Sequence, residues 1–257
     1  MQKSNLVTAA AIGIIAYAAA DVVHEAAHAL VANLLGIRVQ SISTFATQTI
    51  ERSRAVAAAG TIANVVFGLI ACTLVERRRT FGAGVYCLWL FGVVCLMNSG
   101  YLVYSGVANA GDWTSVIVGL QPALPWRLAT GAVGVIFYTT AIRIAVHSAA
   151  PWIANGDASI ADLRRVIGVS YVTGGVLLVL GSAFNPVGRE PIVLSGIGAS
   201  FGLTLGLLLV PGILASQVKE PGWISGALEL QPAWIAVALV VGIVFVGFLG
   251  PGVRLAQ

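Results

Sequence analysis

Ala18-Ala19-Ala20-Asp21-Val22-Val23-His24-Glu25-Ala26-Ala27-His28-Ala29-Leu30-Val31 sits within an apolar stretch that runs from about Leu6 to Ile37. A helix crosses a membrane with about 20 such residues, so the stretch predicts a first transmembrane helix that is tilted or protrudes. On that helix His24 and His28 stand one turn apart on one face, as two ligands of a single metal ion must. Glu25 lies beside them, where it can take a proton from an attacking water. At about 100° per residue, Asp21, His24, Glu25 and His28 share an arc of roughly 100°. Ionisable groups in hydrocarbon are costly and mark functional sites. Without a metal, the same groups would need a complete hydrogen-bonded network in lipid.

The whole chain extends this picture. It has 257 residues, 58% apolar and 9% charged, against about 25% charged in soluble domains. The composition therefore predicts an all-α polytopic membrane protein. Thirty glycines and several alanine runs suit helices that pack closely in lipid, and that composition accounts for most individual glycines. The net charge of +4 is spread over loops, as in Arg77-Arg78-Arg79 and Arg164-Arg165. These are membrane-edge residues, and no basic stripe suggests a nucleic-acid partner. Cys72, Cys87 and Cys95 fall in apolar segments without CxxC spacing, which predicts packed thiols.

Further spans are expected at about Ala55 to Val75, Phe81 to Val103, Trp126 to Ala149, Val166 to Phe184, Ile192 to Leu214 and Pro232 to Leu249. The total is six or seven transmembrane helices. Alternation in Arg38 to Ser53 predicts a short hairpin-like segment after the first helix. Gly111-Asp112-Trp113 opens an apolar piece too short to span, and Pro151 to Asp162 is expected as a polar loop. The chain divides into residues 1–125, a metal-binding core, and residues 126–257, further helices without an assigned role. With the N-terminus in the cytoplasm, Lys3, Arg77 to Arg79, Arg164, Arg165 and Lys219 fall inside and Arg38, Arg52, Arg54, Arg189 and Arg254 outside. The expected setting is a multi-pass protein of a bacterial or archaeal cell membrane, its oligomeric state open.

A catalytic zinc site takes three protein ligands and keeps one open position. Asp112, opening its short helix, is the leading third ligand; its other reading is a helix N-cap beside an interfacial tryptophan. Glu51 is a weaker candidate, because Arg52 and Arg54 suggest a surface ion pair. Asp21 suits a hydrogen-bond acceptor behind a ligand imidazole better than a ligand. Asp157 and Asp162 are expected in the solvated loop. Asn64 and Asn98 are either polar groups near the site or hydrogen bonds across helices. Tyr101 and Tyr104, one turn apart, and His147 with Arg143 are expected at the membrane interface.

His24-Glu25-Ala26-Ala27-His28 in an early span, a hairpin-like stretch, Gly60-Thr61-Ile62-Ala63-Asn64 in the next span and a distal aspartate resemble the site-2 protease family of intramembrane zinc metalloproteases. The resemblance covers about residues 6–120 and is that of a divergent member. Thr61 stands where the family has proline. Asn98-Ser99-Gly100-Tyr101 followed by Gly111-Asp112-Trp113 replaces its Asn-x-x-Pro and Leu-Asp-Gly. The resemblance implies one zinc ion per chain held by His24, His28 and Asp112, with Glu25 activating the water. Asn64 would be a polar neighbour of the site, and a membrane protein or peptide within the lipid bilayer the substrate. Two other readings fit the same residues: hydrolysis of a lipid or small apolar amide or ester, and a metal-stabilised scaffold or transporter without catalysis.

Overall fold

The computed structural model of the chain describes residues 4–78, 80–185, 192–224 and 227–255. Lys3, Arg79 and Arg189, part of the charge pattern above, lie outside them. Helix α1 (Leu6–Leu34) starts where the Asn5 side chain accepts the amides of Val7 and Thr8, satisfying two N–H groups that the first turn leaves without partners. Past its end, the hairpin predicted from alternation is present: β1 (Val39–Ile42) runs antiparallel to β2 (Thr47–Thr49). From the far end of the chain, β3 (Val253–Arg254) pairs with the other side of β1, giving the order β2-β1-β3. Two residues are too short a stretch to show a period, so β3 is invisible in the sequence. Among the described residues it leaves β2 as an edge strand.

Helix α2 (Arg54–Arg78) returns through the membrane. The third predicted span is broken into α3 (Ala83–Met97) and α4 (Gly100–Ala108) at Asn98 and Ser99. The short piece is α5 (Asp112–Ile117). Helix α6 (Ala123–Ala154) passes through Pro151, so the polar loop expected from Pro151 onward begins later. Helix α7 (Ile160–Ala183) begins earlier than its apolar run, because Ser159 caps it by accepting the Asp162 amide at 3.0 Å.

That shift corrects the reading of Asp162 as solvated. It is 4% exposed, accepts the Ser4 amide at 3.1 Å and the Ser4 hydroxyl, and pairs with Arg165 at 2.8 Å. The sixth span starts as wide π turns (Ile192–Gly202), tightens over Leu205–Leu209 and ends as α8 (Val210–Gln217). The last is α9 (Pro232–Val244), followed by π turns at Phe245–Leu249. Among the described residues, seven helical segments are long and apolar enough to cross a membrane, α3 and α4 together forming one of them.

Helix α1 is the hub of the bundle, packed against α2, α3, α7 and α9. Lipid tails give apolar helix faces no reason to leave them, so close approach and hydrogen bonds hold such a bundle together. Gly13 meets α7 so closely that a Cβ would stand 2.6 Å from the Ser170 carbonyl oxygen. Buried aromatic groups tie the spans together: Tyr17 bonds Thr204 at 2.8 Å, Tyr86 bonds Ser170 at 3.0 Å, and Trp89 donates to Ser148 at 3.0 Å. The three cysteines are free thiols, Cys72 and Cys95 fully packed, as expected. The hub position means that whatever α1 carries is enclosed by several other helices.

Candidate metal centre

His24, Glu25 and His28 are 7%, 7% and 6% exposed, on the stretch of α1 that faces α2 and the hairpin. The His28 Nδ1 lies 2.6 Å from the Val56 carbonyl. Only an N–H can face a carbonyl at that distance, so a neutral His28 carries its lone pair on Nε2. Its Nε2 is 3.0 Å from His24 Nε2, and Asp112 Oδ2 stands 3.0 Å from His24 Nε2 and 3.5 Å from His28 Nε2. Two neutral imidazoles in this arrangement bring at most one proton to three mutually close acceptor atoms. The three atoms can share a positive charge placed between them, a metal ion or a further proton.

The spacing fits a metal. Ligand atoms about 2.0–2.1 Å from a tetrahedral zinc stand about 3.3 Å apart, close to the observed separations of 3.0, 3.0 and 3.5 Å. The Glu25 carboxylate completes a His-Glu-His group whose ligand atoms all lie within 4.8 Å of one another. It is oriented by the Thr47 hydroxyl of β2, 2.8 Å from its Oε2. Burial alone would raise the Asp112 carboxyl. The His24 and His28 imidazoles beside it outweigh burial and hold it well below the usual carboxylate range.

Asp112 reaches the histidines because α5 is fixed on two sides. Trp113 Nε1 donates to Thr61 Oγ1 at 3.1 Å, and Arg54 donates to the Val118 carbonyl at 2.9 Å. Thr61, where the resembled motif has proline, thus gives α2 a hydroxyl that holds the aspartate helix. Gly111 takes φ +82° against the Tyr101 ring, a backbone conformation that glycine adopts without penalty. Asp112 is the first residue of α5, with Gly111 at the cap position, so the N-cap reading does not hold.

Gly60 carries the closest approach in the site. A Cβ there would stand 2.5 Å from His28 Nε2 and 2.6 Å from His24 Nε2. The absence of a side chain lets α2 pass beneath the two imidazoles. Composition alone gives no sign of that role. Glu51 is exposed and away from the cluster, and it pairs with neither Arg52 nor Arg54 among the described residues.

Two cavities meet at His24, Glu25, Phe45 and Tyr101. One, of about 180 Å³, opens beside β2 and includes Thr47, Thr49 and Asp112 in its wall. The other, of about 70 Å³, is lined by Asp21, Asn64, Asn98, Ser182 and Thr204 among others. Asn64 Oδ1 and Asn98 Oδ1 are buried without partners, so the simple cross-helix hydrogen bonds expected of them are not formed through these atoms. The Tyr101 ring lies tilted against His24, centroids 5.9 Å apart, and lines both cavities; it belongs to the site, not to the membrane interface. Spacing against Tyr104 could not show this, because the α3–α4 break turns Tyr101 inward. His147 and Arg143 are exposed and line a groove with Glu76, away from the histidines. Comparison with protein-family models, curated proteins and solved structures finds no match to this chain.

Proposed function

We propose that the chain is a zinc-dependent intramembrane endopeptidase that hydrolyses a peptide bond of a membrane-embedded substrate. The observation that carries this reading is the convergence of Asp112, from 88 residues further along the chain, on both histidines of α1. His24, His28 and Asp112 would hold the zinc ion, which when bound would supply Lewis acidity toward a water and a carbonyl. Glu25 takes the proton from the attacking water and delivers it to the leaving amine. Thr47 keeps that carboxylate turned toward the cavity. Val56 keeps the His28 imidazole in the ligand tautomer.

A peptide is favoured over a lipid by the free edge of β2 beside Glu25. Ile50 donates inward to Arg38 at 3.1 Å, so by strand alternation the Thr49 N–H faces outward, ready to pair with an extended substrate. Thr49→Pro removes that donor. It is expected to lower turnover about fivefold, because one backbone hydrogen bond is worth about 1 kcal/mol, with zinc content unchanged.

The reading is tested in liposomes loaded with zinc-reconstituted protein and a synthetic transmembrane peptide, with products sequenced by mass spectrometry. The expected result is a discrete cut within the membrane-embedded stretch and no change in the lipids. Lipid hydrolysis with the peptide left intact would overturn the peptidase reading.

A further inference from the structure

The two histidines are held differently. His28 Nδ1 has the Val56 carbonyl at 2.6 Å, whereas His24 Nδ1 is buried with no partner. A histidine that ligates through Nε2 carries its proton on Nδ1, and an acceptor for that proton fixes the ring. His24 lines the 70 Å³ cavity together with Asp21, one turn earlier on α1. The same wall contains Asn64, 1% exposed, whose Oδ1 also lacks a partner, and Thr44, whose hydroxyl is likewise unpaired. Among the described residues, no Lys or Arg lines this cavity. A water occupies about 30 Å³ of liquid and settles where two to four polar groups surround it. The cavity has room for about two by that measure, and the unpaired groups to hold them.

We infer that Asp21 is a positioning residue for the metal centre, accepting the His24 Nδ1 proton through an ordered water in this cavity, with Asn64 and Thr44 completing the water's hydrogen bonds. The inference rests on the metal-site reading above and extends it to a carboxylate that binds no metal itself. Asp21 keeps a carboxyl group within the membrane because a ligand imidazole with a free N–H would rotate and bind more weakly. The water-filled cavity then lies on the inner side of the imidazoles, while the larger cavity beside β2 receives the substrate.

The test measures zinc affinity by competition with a chromogenic chelator, the visible spectrum of the cobalt-substituted protein, and the thermal midpoint of the metal-free protein. These are compared for wild type, Asp21→Asn, Asp21→Leu and His24→Ala. Asp21→Asn keeps an acceptor oxygen and is expected to bind zinc within about 3-fold of wild type. Asp21→Leu, of similar shape, is expected to weaken zinc by about 10- to 100-fold, as losing an outer-shell partner does, and to alter the cobalt spectrum. Its metal-free thermal midpoint should be equal to or above that of wild type, since hydrocarbon replaces a carboxylate in the bundle. A purely structural role would lower midpoint and affinity together. Unchanged affinity and spectrum in Asp21→Leu, with binding lost in His24→Ala, would overturn the role of Asp21 and leave the metal centre standing. Equal weakening in Asp21→Asn and Asp21→Leu would overturn the water bridge in favour of a net-charge effect. Absence of binding in wild type would sink both the metal centre and this inference.

Discussion

Glu25→Gln is expected to lower turnover by about 10²- to 10⁴-fold, the range of general acid–base catalysis, while the purified variant keeps the zinc content of wild type. The carboxylate belongs to the His24–Glu25–His28 group, but His24, His28 and Asp112 already bring three ligand atoms within 3.5 Å of one another. The amide retains the oxygen that accepts from Thr47 and loses the capacity to hold a proton. Elemental analysis beside a cleavage assay separates the two functions. His24→Ala and Asp112→Ala should lose the metal, and Glu25→Gln should not. Loss of zinc in Glu25→Gln would make Glu25 a ligand and leave the proton transfer without its group. Zinc retained in Asp112→Ala would remove the aspartate from the ligand set.

The legible part of this protein is what a period can carry. Apolar runs of spanning length give the helices, because hydrocarbon allows a lone segment no other way to satisfy its backbone. Two histidines at helical spacing, with Glu25 between them, give half of the metal centre. Alternation gives β1 and β2. What the sequence withholds is set by contacts between distant segments. The pairing of β1 with β3 joins Ser41 to Arg254, and no local pattern announces it. Asp112 can be named as a candidate ligand, but the Trp113–Thr61 hydrogen bond that delivers it is tertiary. Asp162 reads as a loop residue, and its burial depends on Ser4 from the other end of the chain. Tyr101 reads as an interfacial ring until the break at Asn98 turns it toward His24. The π-wound and tightened turns of the sixth span likewise follow an apolar run that would suit a plain helix.

Gly60→Ala is expected to weaken zinc binding by about 100-fold, the upper end of the range for disturbing groups around a metal's ligands. The added methyl carbon would lie 2.5 to 2.6 Å from the Nε2 atoms of His28 and His24, where packed interiors leave no room. Something must move. His28 is held through Nδ1 by Val56, on the same helix as Gly60, so displacing the ring breaks that bond, and displacing α2 instead draws Thr61 away from Trp113. Either movement separates ligand atoms that come from two helices, α1 and α5. The cost falls on the metal centre and much less on the fold, because α2 also packs on α3, where Gly68 and Gly92 let the two helices meet closely. Circular dichroism should therefore show a folded, helical variant with weakened zinc. The paired control is Gly84→Ala, at an open position on α3 where a Cβ meets nothing within 4 Å, and its zinc affinity should match wild type. Wild-type affinity in Gly60→Ala would mean that the imidazoles do not face α2, and with it would go the argument that the three converging atoms hold a metal.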